Sequence, residues 1–458
     1  MKKLIYILLF LFPVVSFPQQ PWFNSSPLDY MWQNVGNAGF TAAEAGYTKL
    51  AFSPSGEPYI AFKDATGSGK ATVMKYTNSI WITVGQPNFS AGQVSDISFA
   101  FSQTGEPFVS YDVADSYKAS VMKFNGTAWV NVGKAEFSSY AVAFTSLAFS
   151  PTGQPYLAFE DYSVGAGKAT VMKFDGTNWI TVGQAGFSSG EAQYLSFAFS
   201  QSGQPYVAFQ DSQTSDKATV MKFDGTNWVN VGNPGFSAGA VTHLSLVFNP
   251  LGEPYVAFHD EGNSGKATLM KFDGNGWINV GNAGFSLDEV IFTSLAFNPI
   301  GQPYVAYSDF GNNNKATVMK FDGANWITIG NSGFSAGIAQ WTSLAFNPSG
   351  RPYVAYSDIA NFGKATAMYY NAPTGINEIQ DKRLLIFPNP ATTEITIETS
   401  ERCTASQLFI TNMNGQQLIS RQITEPKTQL DISNLPSGVY FIRIMGDKTV
   451  KVGKFVKQ

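Results

Sequence analysis

The stretch YLSFAFSQSGQPYVAFQDSQTSDKATVMKFDGTNWVNVGNPGF, residues 194–236, decides the fold. Four segments in it are rich in β-branched and aromatic residues, which predicts four short strands, A to D, over residues 194–200, 206–210, 218–223 and 228–232. The links QSGQP between A and B and DGTN between C and D are typical hairpin turns, because glycine accepts positive φ and proline removes a backbone donor. The stretch therefore predicts a four-stranded antiparallel sheet.

The same unit recurs seven times with a period of about 49 residues. Its landmarks are a tryptophan opening strand D, a glycine in the A–B turn and a lysine opening strand C. The tryptophans are Trp32, Trp81, Trp129, Trp179, Trp228, Trp277 and Trp326; the glycines are Gly56, Gly105, Gly153, Gly203, Gly252, Gly301 and Gly350; the lysines are Lys70, Lys118, Lys168, Lys217, Lys266, Lys315 and Lys364. Four antiparallel strands at this period predict an all-β chain with a seven-bladed β-propeller.

The two ends of the repeat array complement each other. A lone strand D at residues 32–35 precedes the first full unit, and the last unit stops after strand C at residues 368–370. We therefore expect the N-terminal strand to complete the last blade and leave no open sheet edge. The Gly-Gly pair of kelch repeats and the Trp-Asp dipeptide of WD repeats are absent, so the resemblance to known propellers is one of architecture.

The N-terminus is typical of a secretory signal peptide. Lys2 and Lys3 precede the apolar run 4–15, and Ser16 supplies a small residue at the expected cleavage site. No later stretch reaches the roughly 20 apolar residues of a membrane helix, so we expect no membrane span. The expected organisation is a signal peptide at 1–16, a propeller at 17–371, a linker at 372–383 and a C-terminal domain at 384–458.

Four motifs follow the linker in order. They are Phe387-Pro388-Asn389-Pro390, Asn412-Met413-Asn414-Gly415, DISNLPSGVY at 431–440 and KFVK at 454–457. This segment resembles the type A sorting domain of the type IX secretion system of Bacteroidota. The resemblance implies an immunoglobulin-like β-sandwich that interacts with the type IX machinery, and a secreted or outer-surface location. The alternative is an adhesive β-sandwich with no sorting role.

Composition excludes several classes of function. Residues 17–378 carry 17 basic and 26 acidic side chains, and most of the basic ones occupy two repeated positions, so no basic stripe for nucleic acid forms. Cys403 is the only cysteine, which excludes an intramolecular disulfide and a cysteine metal cluster. P-loop, HExxH and GxSxG motifs are absent. We expect no cofactor and no metal, and a monomer.

Two sets of polar residues admit both a structural and a chemical interpretation. An aspartate near the end of strand B, Asp211 in the quoted unit and one residue offset at Asp112, recurs before each repeated lysine. It could form a carboxylate ring, but its repetition favours a hairpin ion pair or a turn cap. His243 and His259 lie in one blade beside Asp260, and they could form a metal or acid–base site or be ordinary buried histidines.

The candidate binding site is the position seven residues after the phenylalanine of each D–A loop, where the chain enters the innermost strand. We call this set the mouth ring: Tyr47, Asp96, Phe144, Tyr194, His243, Phe292 and Trp341. Six of the seven are aromatic if histidine is counted, and their identity varies, which is typical of a stacking platform for sugar rings. The alternative is that each ring plugs the top of its blade.

These observations favour an extracellular binding module, for a glycan or another surface polymer. The alternatives are an extracellular enzyme acting on polysaccharide, and a structural or adhesive surface protein with protein partners. Variable D–A and B–C loops lie on one face of the propeller, and we expect the function on that face.

Overall fold

The computed structural model describes residues 31–371, 385–398, 406–412, 417–425, 427–445 and 450–458. The predicted signal peptide at 1–16 and the predicted linker at 372–383 lie outside these residues. The chain divides into two compact units between Ala372 and Pro373.

The first unit is the predicted seven-bladed propeller. The second strand of each blade, strand B, is buried along nearly its whole length. Each blade is an antiparallel sheet in the order A-B-C-D. The strands are β1 (Trp32–Asn34); blade 1, β2 (Ala45–Phe52), β3 (Pro58–Asp64), β4 (Lys70–Thr77), β5 (Ile80–Thr83); blade 2, β6 (Val94–Phe101), β7 (Pro107–Val113), β8 (Lys118–Phe124), β9 (Trp129–Asn131); blade 3, β10 (Val142–Phe149), β11 (Pro155–Asp161), β12 (Lys168–Phe174), β13 (Trp179–Thr181); blade 4, β14 (Ala192–Phe199), β15 (Pro205–Asp211), β16 (Lys217–Phe223), β17 (Trp228–Asn230); blade 5, β18 (Val241–Phe248), β19 (Pro254–Asp260), β20 (Lys266–Phe272), β21 (Trp277–Asn279); blade 6, β22 (Val290–Phe297), β23 (Pro303–Asp309), β24 (Lys315–Phe321), β25 (Trp326–Thr328); blade 7, β26 (Ala339–Phe346), β27 (Pro352–Asp358), β28 (Lys364–Tyr370).

The N-terminal strand closes the ring as predicted. Strand β1 pairs antiparallel with β28, with Trp32 opposite Tyr370 and Asn34 opposite Met368. Blade 7 therefore takes its outermost strand from the start of the array and its other three from the end.

Each tryptophan of strand D ties its blade to the preceding one. Trp228 donates its indole N–H to the carbonyl of Val182 at 2.8 Å and stacks on Phe187 with ring centroids 4.2 Å apart. Trp32 makes the corresponding contacts across the closure, with the carbonyl of Ile329 and the ring of Phe334. A buried indole needs an acceptor for its N–H, so one side chain supplies both apolar area and a directional bond at each blade interface.

The recurring aspartate caps a 3₁₀ turn in the B–C link. Asp211 accepts the N–H of Gln213 at 3.1 Å through Oδ1 and the hydroxyl of Thr219 at 3.2 Å through Oδ2. Lys217 lies opposite Asp211 in the strand register, but no ion pair joins them in the described part of the chain. Five of the six aspartates that precede a 3₁₀ turn cap it through a backbone N–H, whereas Asp309 makes no such bond. The turn-cap interpretation is therefore confirmed in five blades, and the ion-pair alternative and the carboxylate ring are wrong. The 3₁₀ turns are Ala65–Gly67, Tyr162–Val164, Ser212–Thr214, Glu261–Asn263, Phe310–Asn312 and Ile359–Asn361.

Blade 2 departs from this arrangement. Val113 occupies the register position of the capping aspartate, opposite Lys118, and the described residues contain no 3₁₀ turn between β7 and β8. Asp112 is displaced by one residue, which turns its side chain to the other face of the strand. Asp112 is therefore not a cap of this kind.

The second unit is the predicted β-sandwich. One sheet has the order β29-β30-β33 and the other has the order β32-β31-β34-β35. The strands are β29 (Leu385–Phe387), β30 (Glu394–Glu398), β31 (Ser406–Asn412), β32 (Gln417–Ile423), β33 (Lys427–Asp431), β34 (Gly438–Met445) and β35 (Val450–Lys457). The two sheets share one core, in which Ile395 and Leu430 of the first pack with Leu408, Ile442 and Phe455 of the second.

Candidate functional site at the channel mouth

A β-bulge presents each member of the mouth ring. In blade 1, Gly46 pairs with Lys63 and Lys49 pairs with Ala61, so two residues of strand A face one residue of strand B. The same shift occurs in all seven blades. All seven mouth-ring residues have φ between 46° and 56°, in the left-handed region. For a non-glycine residue that conformation costs about 1–2 kcal/mol, and bulges re-aim side chains beside functional sites.

The bulges bring all seven predicted residues around one cavity of about 220 Å³ on the propeller axis. The rings form a continuous arc from Phe144 through Tyr194, His243, Phe292 and Trp341 to Tyr47, with neighbouring centroids 4.9 to 5.8 Å apart. Every member is half-buried, so each contributes to the packing around the cavity and keeps part of its surface open to it.

Asp96 occupies the gap in the arc, between Tyr47 and Phe144. Its Oδ2 accepts the backbone N–H of Phe144 at 2.9 Å. Burial is the main cause that raises the pKa of this carboxyl, while the Phe144 N–H and Lys49 oppose the shift. The mouth is therefore asymmetric: six rings line most of it, and one carboxyl lines the remainder.

A second set of side chains lies behind the mouth ring, at the penultimate position of strand B. We call this set the second tier: Lys63, Asp112, Glu160, Gln210, His259, Ser308 and Ser357. In blades 6 and 7 the serine donates its hydroxyl to a B–C loop carbonyl, that of Asn314 or Gly363. In blades 1, 2, 3 and 5 the same position carries a titratable group.

Three second-tier groups are buried with unpaired polar atoms. Oδ1 of Asp112, both carboxyl oxygens of Glu160 and Nε2 of His259 have no hydrogen-bond partner among the described residues. Carboxyl oxygens of Glu261 and Glu289 each lie 3.8 Å from Nε2 of His259, beyond hydrogen-bond distance. Burial, together with the neighbouring Asp96, raises the pKa of Asp112 to about 7, and burial is the main cause that raises the pKa of Glu160 to about 8. Both carboxyls thus tend towards the neutral form that can donate a hydrogen bond.

The two histidines share one hydroxyl. Oγ1 of Thr242 lies 2.9 Å from Nδ1 of His243 and 3.0 Å from Nδ1 of His259. Burial, with His259 and Lys49 nearby, lowers the pKa of His243 to about 4. Asp260 does not join them, because its oxygens accept from Gly262 and Thr268. Within the described ranges, no group of three His, Cys, Asp or Glu side chains is arranged to hold a metal ion.

Sequence reasoning found the mouth ring but missed Lys49, which also lines the cavity. Lys49 stands where the other six blades have serine, and it is one of only four basic residues in the propeller outside the two repeated lysine positions. Comparing the seven repeats column by column for single departures would have found it. The same comparison would have found the second tier.

The C-terminal unit carries a recognisable export signal. Residues 385–458 match the family model of the secretion system C-terminal sorting domain. This match confirms the type IX sorting domain that the four C-terminal motifs predict, and it indicates export out of the cell. Among the described residues, no helix is long and apolar enough to cross a membrane.

The fold of the chain is similar to that of PorZ, a bacterial surface component of the type IX secretion system of Porphyromonas gingivalis. The two share 15% identity with a TM-score of 0.51, over 91% of this chain and 60% of PorZ. This chain therefore spans less than two thirds of PorZ, and the likeness shows the fold alone.

Two further likenesses are weaker. A polysaccharide lyase of family PL25, an ulvan lyase, matches with a TM-score of 0.46 and 11% identity over 75% of this chain and 95% of the lyase. The lectin SapL1 matches with a TM-score of 0.43 and 15% identity over 63% of this chain and 96% of the lectin. At these TM-scores neither bears on the function of this chain. No curated protein matches the sequence.

Proposed function

We propose that the propeller is an extracellular binding module that holds a saccharide in the mouth ring. The observation that carries this proposal is the arc of six rings, each contributed by a different blade on a left-handed bulge and each half-open to one cavity. Aromatic faces and edges bind the apolar C–H faces of sugars, while hydroxyls at the rim need polar partners such as Asp96 and His243.

The size of the cavity favours one sugar residue rather than a chain lying flat. Its volume of about 220 Å³ is below the roughly 300–1,000 Å³ typical of drug-sized ligand pockets. The cavity opens at the end of the channel where the D–A loops enter the inner strands. A terminal sugar of a larger polymer can enter this mouth while the remainder stays in solvent.

The number of carboxyl groups in the mouth cavity favours a binding function over a hydrolytic one. Glycoside hydrolysis uses two carboxyl groups flanking the scissile bond. Asp96 is the one carboxylate among the described residues that line the mouth cavity.

The test is a panel of immobilised glycans probed with the full chain and with two variants, Trp341→Ala and Tyr194→Ala. We expect the glycan affinity of both variants to fall at least tenfold. Because both side chains are half-buried, each variant should lose much less unfolding free energy than an aromatic core truncation, which costs about 3–5 kcal/mol. Tyr140→Ala is the control, since Tyr140 is an exposed aromatic in a D–A loop outside the ring.

Two results would overturn the proposal. One is unchanged glycan binding by the two ring variants. The other is a core-sized loss of stability in both, which would show that the rings only plug the blades.

A further inference from the structure

Six of the seven junctions between neighbouring inner strands carry the same side-chain bond. In six blades, a serine two residues after the mouth-ring position accepts the backbone N–H of the next blade's inner strand. The bonds run from Leu147 to Ser98, Phe197 to Ser146, Leu246 to Ser196, Leu295 to Ser245, Leu344 to Ser294 and Leu50 to Ser343, at 2.9 to 3.1 Å. We call these six residues the latch serines.

Lys49 replaces the seventh latch serine. Its side chain has no oxygen to accept the corresponding N–H, that of Phe99 in blade 2. Among the described residues, Nζ of Lys49 has no hydrogen bond and no ion pair within 4.0 Å. The substitution therefore removes an inter-blade bond and supplies an unpaired ammonium in its place.

The ammonium lies inside the site rather than on the outer surface. Lys49 lines the mouth cavity together with all seven mouth-ring residues, and it remains accessible to water. Its charge acts on Asp96 in blade 2 and on His243 in blade 5, which belong to opposite sides of the ring. Burial within the channel lowers the pKa of Lys49 itself, while Asp96 opposes that shift.

Other charged groups cluster on the same side of the mouth. Lys63 of blade 1 lies with Nζ 5.9 Å from the ring of Tyr47. Asp112 of blade 2 is 3% exposed, has an unpaired Oδ1, and interacts with both Asp96 and Lys63. The departures from the repeat at Lys49, Lys63, Asp96 and Asp112 thus meet at the interface of blades 1 and 2, beside the gap in the aromatic arc.

We propose that Lys49 selects saccharides whose terminal residue carries an anionic oxygen group, a carboxylate or a sulfate ester. The aromatic arc binds the sugar ring, and the Lys49 ammonium pairs with the anionic group of that sugar inside the cavity. An ammonium that has no hydrogen-bond partner in the protein gains a charge-assisted bond when an anionic oxygen enters the cavity. This inference rests on the proposed function, because it needs the sugar to enter the mouth ring.

The repeat supplies the test variant. Lys49→Ser installs the residue that the other six blades use, so the seventh latch bond can form and the melting temperature should equal or exceed that of the unchanged protein. Lys49→Arg keeps the charge. Lys134→Ser removes an exposed lysine of a D–A loop and is the matched control for the loss of one positive charge.

The ligands are methyl glycosides of glucose, galactose and mannose, each compared with its uronic acid and its 6-sulfate, titrated against the full chain. We expect at least one acidic member to bind tenfold or more tightly than its neutral parent. Lys49→Ser should abolish that preference, whereas Lys49→Arg and Lys134→Ser should keep it. Comparing the uronic acid and sulfate arms identifies which anion is preferred.

The failures of the two proposals are distinguishable. Binding of neutral and acidic members with equal affinity, or an acid preference that survives in Lys49→Ser, would overturn the role of Lys49 and leave the mouth ring as the site. Absence of binding by every member would overturn this inference together with the proposed function.

Discussion

Glu160 shows how far single residues depart from the repeat that contains them. It is fully buried in the second tier, and neither carboxyl oxygen has a hydrogen-bond partner within 3.5 Å among the described residues, although the side chains of Tyr162 and Glu191 interact with it. Blades 6 and 7 fill the same position with a satisfied serine. A buried carboxyl without a close hydrogen bond lowers stability once it is ionised, so this position is not optimised for folding.

Glu160 predicts a specific pH dependence of stability. The folded carboxyl holds its proton up to a pKa of about 8, whereas the unfolded carboxyl ionises near its ordinary value of 4.5. The free energy of unfolding therefore falls as pH rises from 4.5 to 8, by about 1.4 kcal/mol for each unit by which the folded pKa exceeds the unfolded one. Above pH 8 this loss is complete.

We expect Glu160→Gln to remove this contribution, so that its stability advantage over the unchanged protein is larger at pH 9 than at pH 5. Urea unfolding followed by tryptophan fluorescence at the two pH values measures it. Glu394→Gln, an exposed glutamate of the C-terminal unit, is the control and should show no such difference. Identical pH dependence in Glu160→Gln and the unchanged protein would contradict the assignment.

Residue positions in the mouth ring were predictable from spacing, but their conformation was not. A fixed offset of seven residues after each loop phenylalanine locates the ring, because every blade has the same loop length at this point. The left-handed φ of Tyr194 or Trp341 leaves no trace in the sequence, since aromatic side chains do not favour that region. Lys49 was missed because an average over seven repeats hides one departure.

At the scale of elements, the ring of blades is closed by strand pairing between the two ends of the array, β1 and β28. Strand β1 has three residues, and Trp32 within it is buried, bonded to Ile329 and stacked on Phe334. Without it, the edge of β28 would be unpaired, and such an edge invites association with another chain.

Deleting residues 20–37 should therefore cause aggregation or a large fall in melting temperature. Size-exclusion chromatography and thermal unfolding measure the two outcomes. A deletion of residues 20–30 keeps Trp32 and its strand, and it is the control. A soluble and equally stable 20–37 deletion would be incompatible with closure by β1.

The sequence predicted the strand order and the hairpin turns, but it predicted the conformation of the B–C links only in part. Apolar alternation and glycine turns specify the blade locally, so the strands of blade 4 lie within two residues of their predicted bounds. The repeated aspartate was assigned from repetition, and only the bond from the backbone N–H of Gln213 to Oδ1 of Asp211 shows that it caps a turn. The one-residue offset of Asp112 is visible in the sequence, but only the strand register shows that it places Asp112 on the opposite face, with Val113 opposite Lys118.

At the scale of the whole molecule, the two units have separate roles. The sorting domain at 385–458 directs export, and the propeller carries the candidate site.

Removing residues 379–458 should leave a folded propeller that accumulates in the periplasm of its native host, because the machinery recognises the tag. Immunoblots of periplasm, outer membrane and medium, with a resident periplasmic enzyme as control, test this. Normal export of the truncated chain would refute the assignment.

The most direct test of the central claim is a crystal structure of the protein soaked with the tightest-binding saccharide of the glycan panel. We predict electron density for one sugar residue inside the mouth ring, in contact with Tyr194 and Trp341. Density elsewhere, for example in the polar pocket of about 280 Å³ lined by Glu191, Gln210 and Asp216, with an empty mouth ring, would contradict the account.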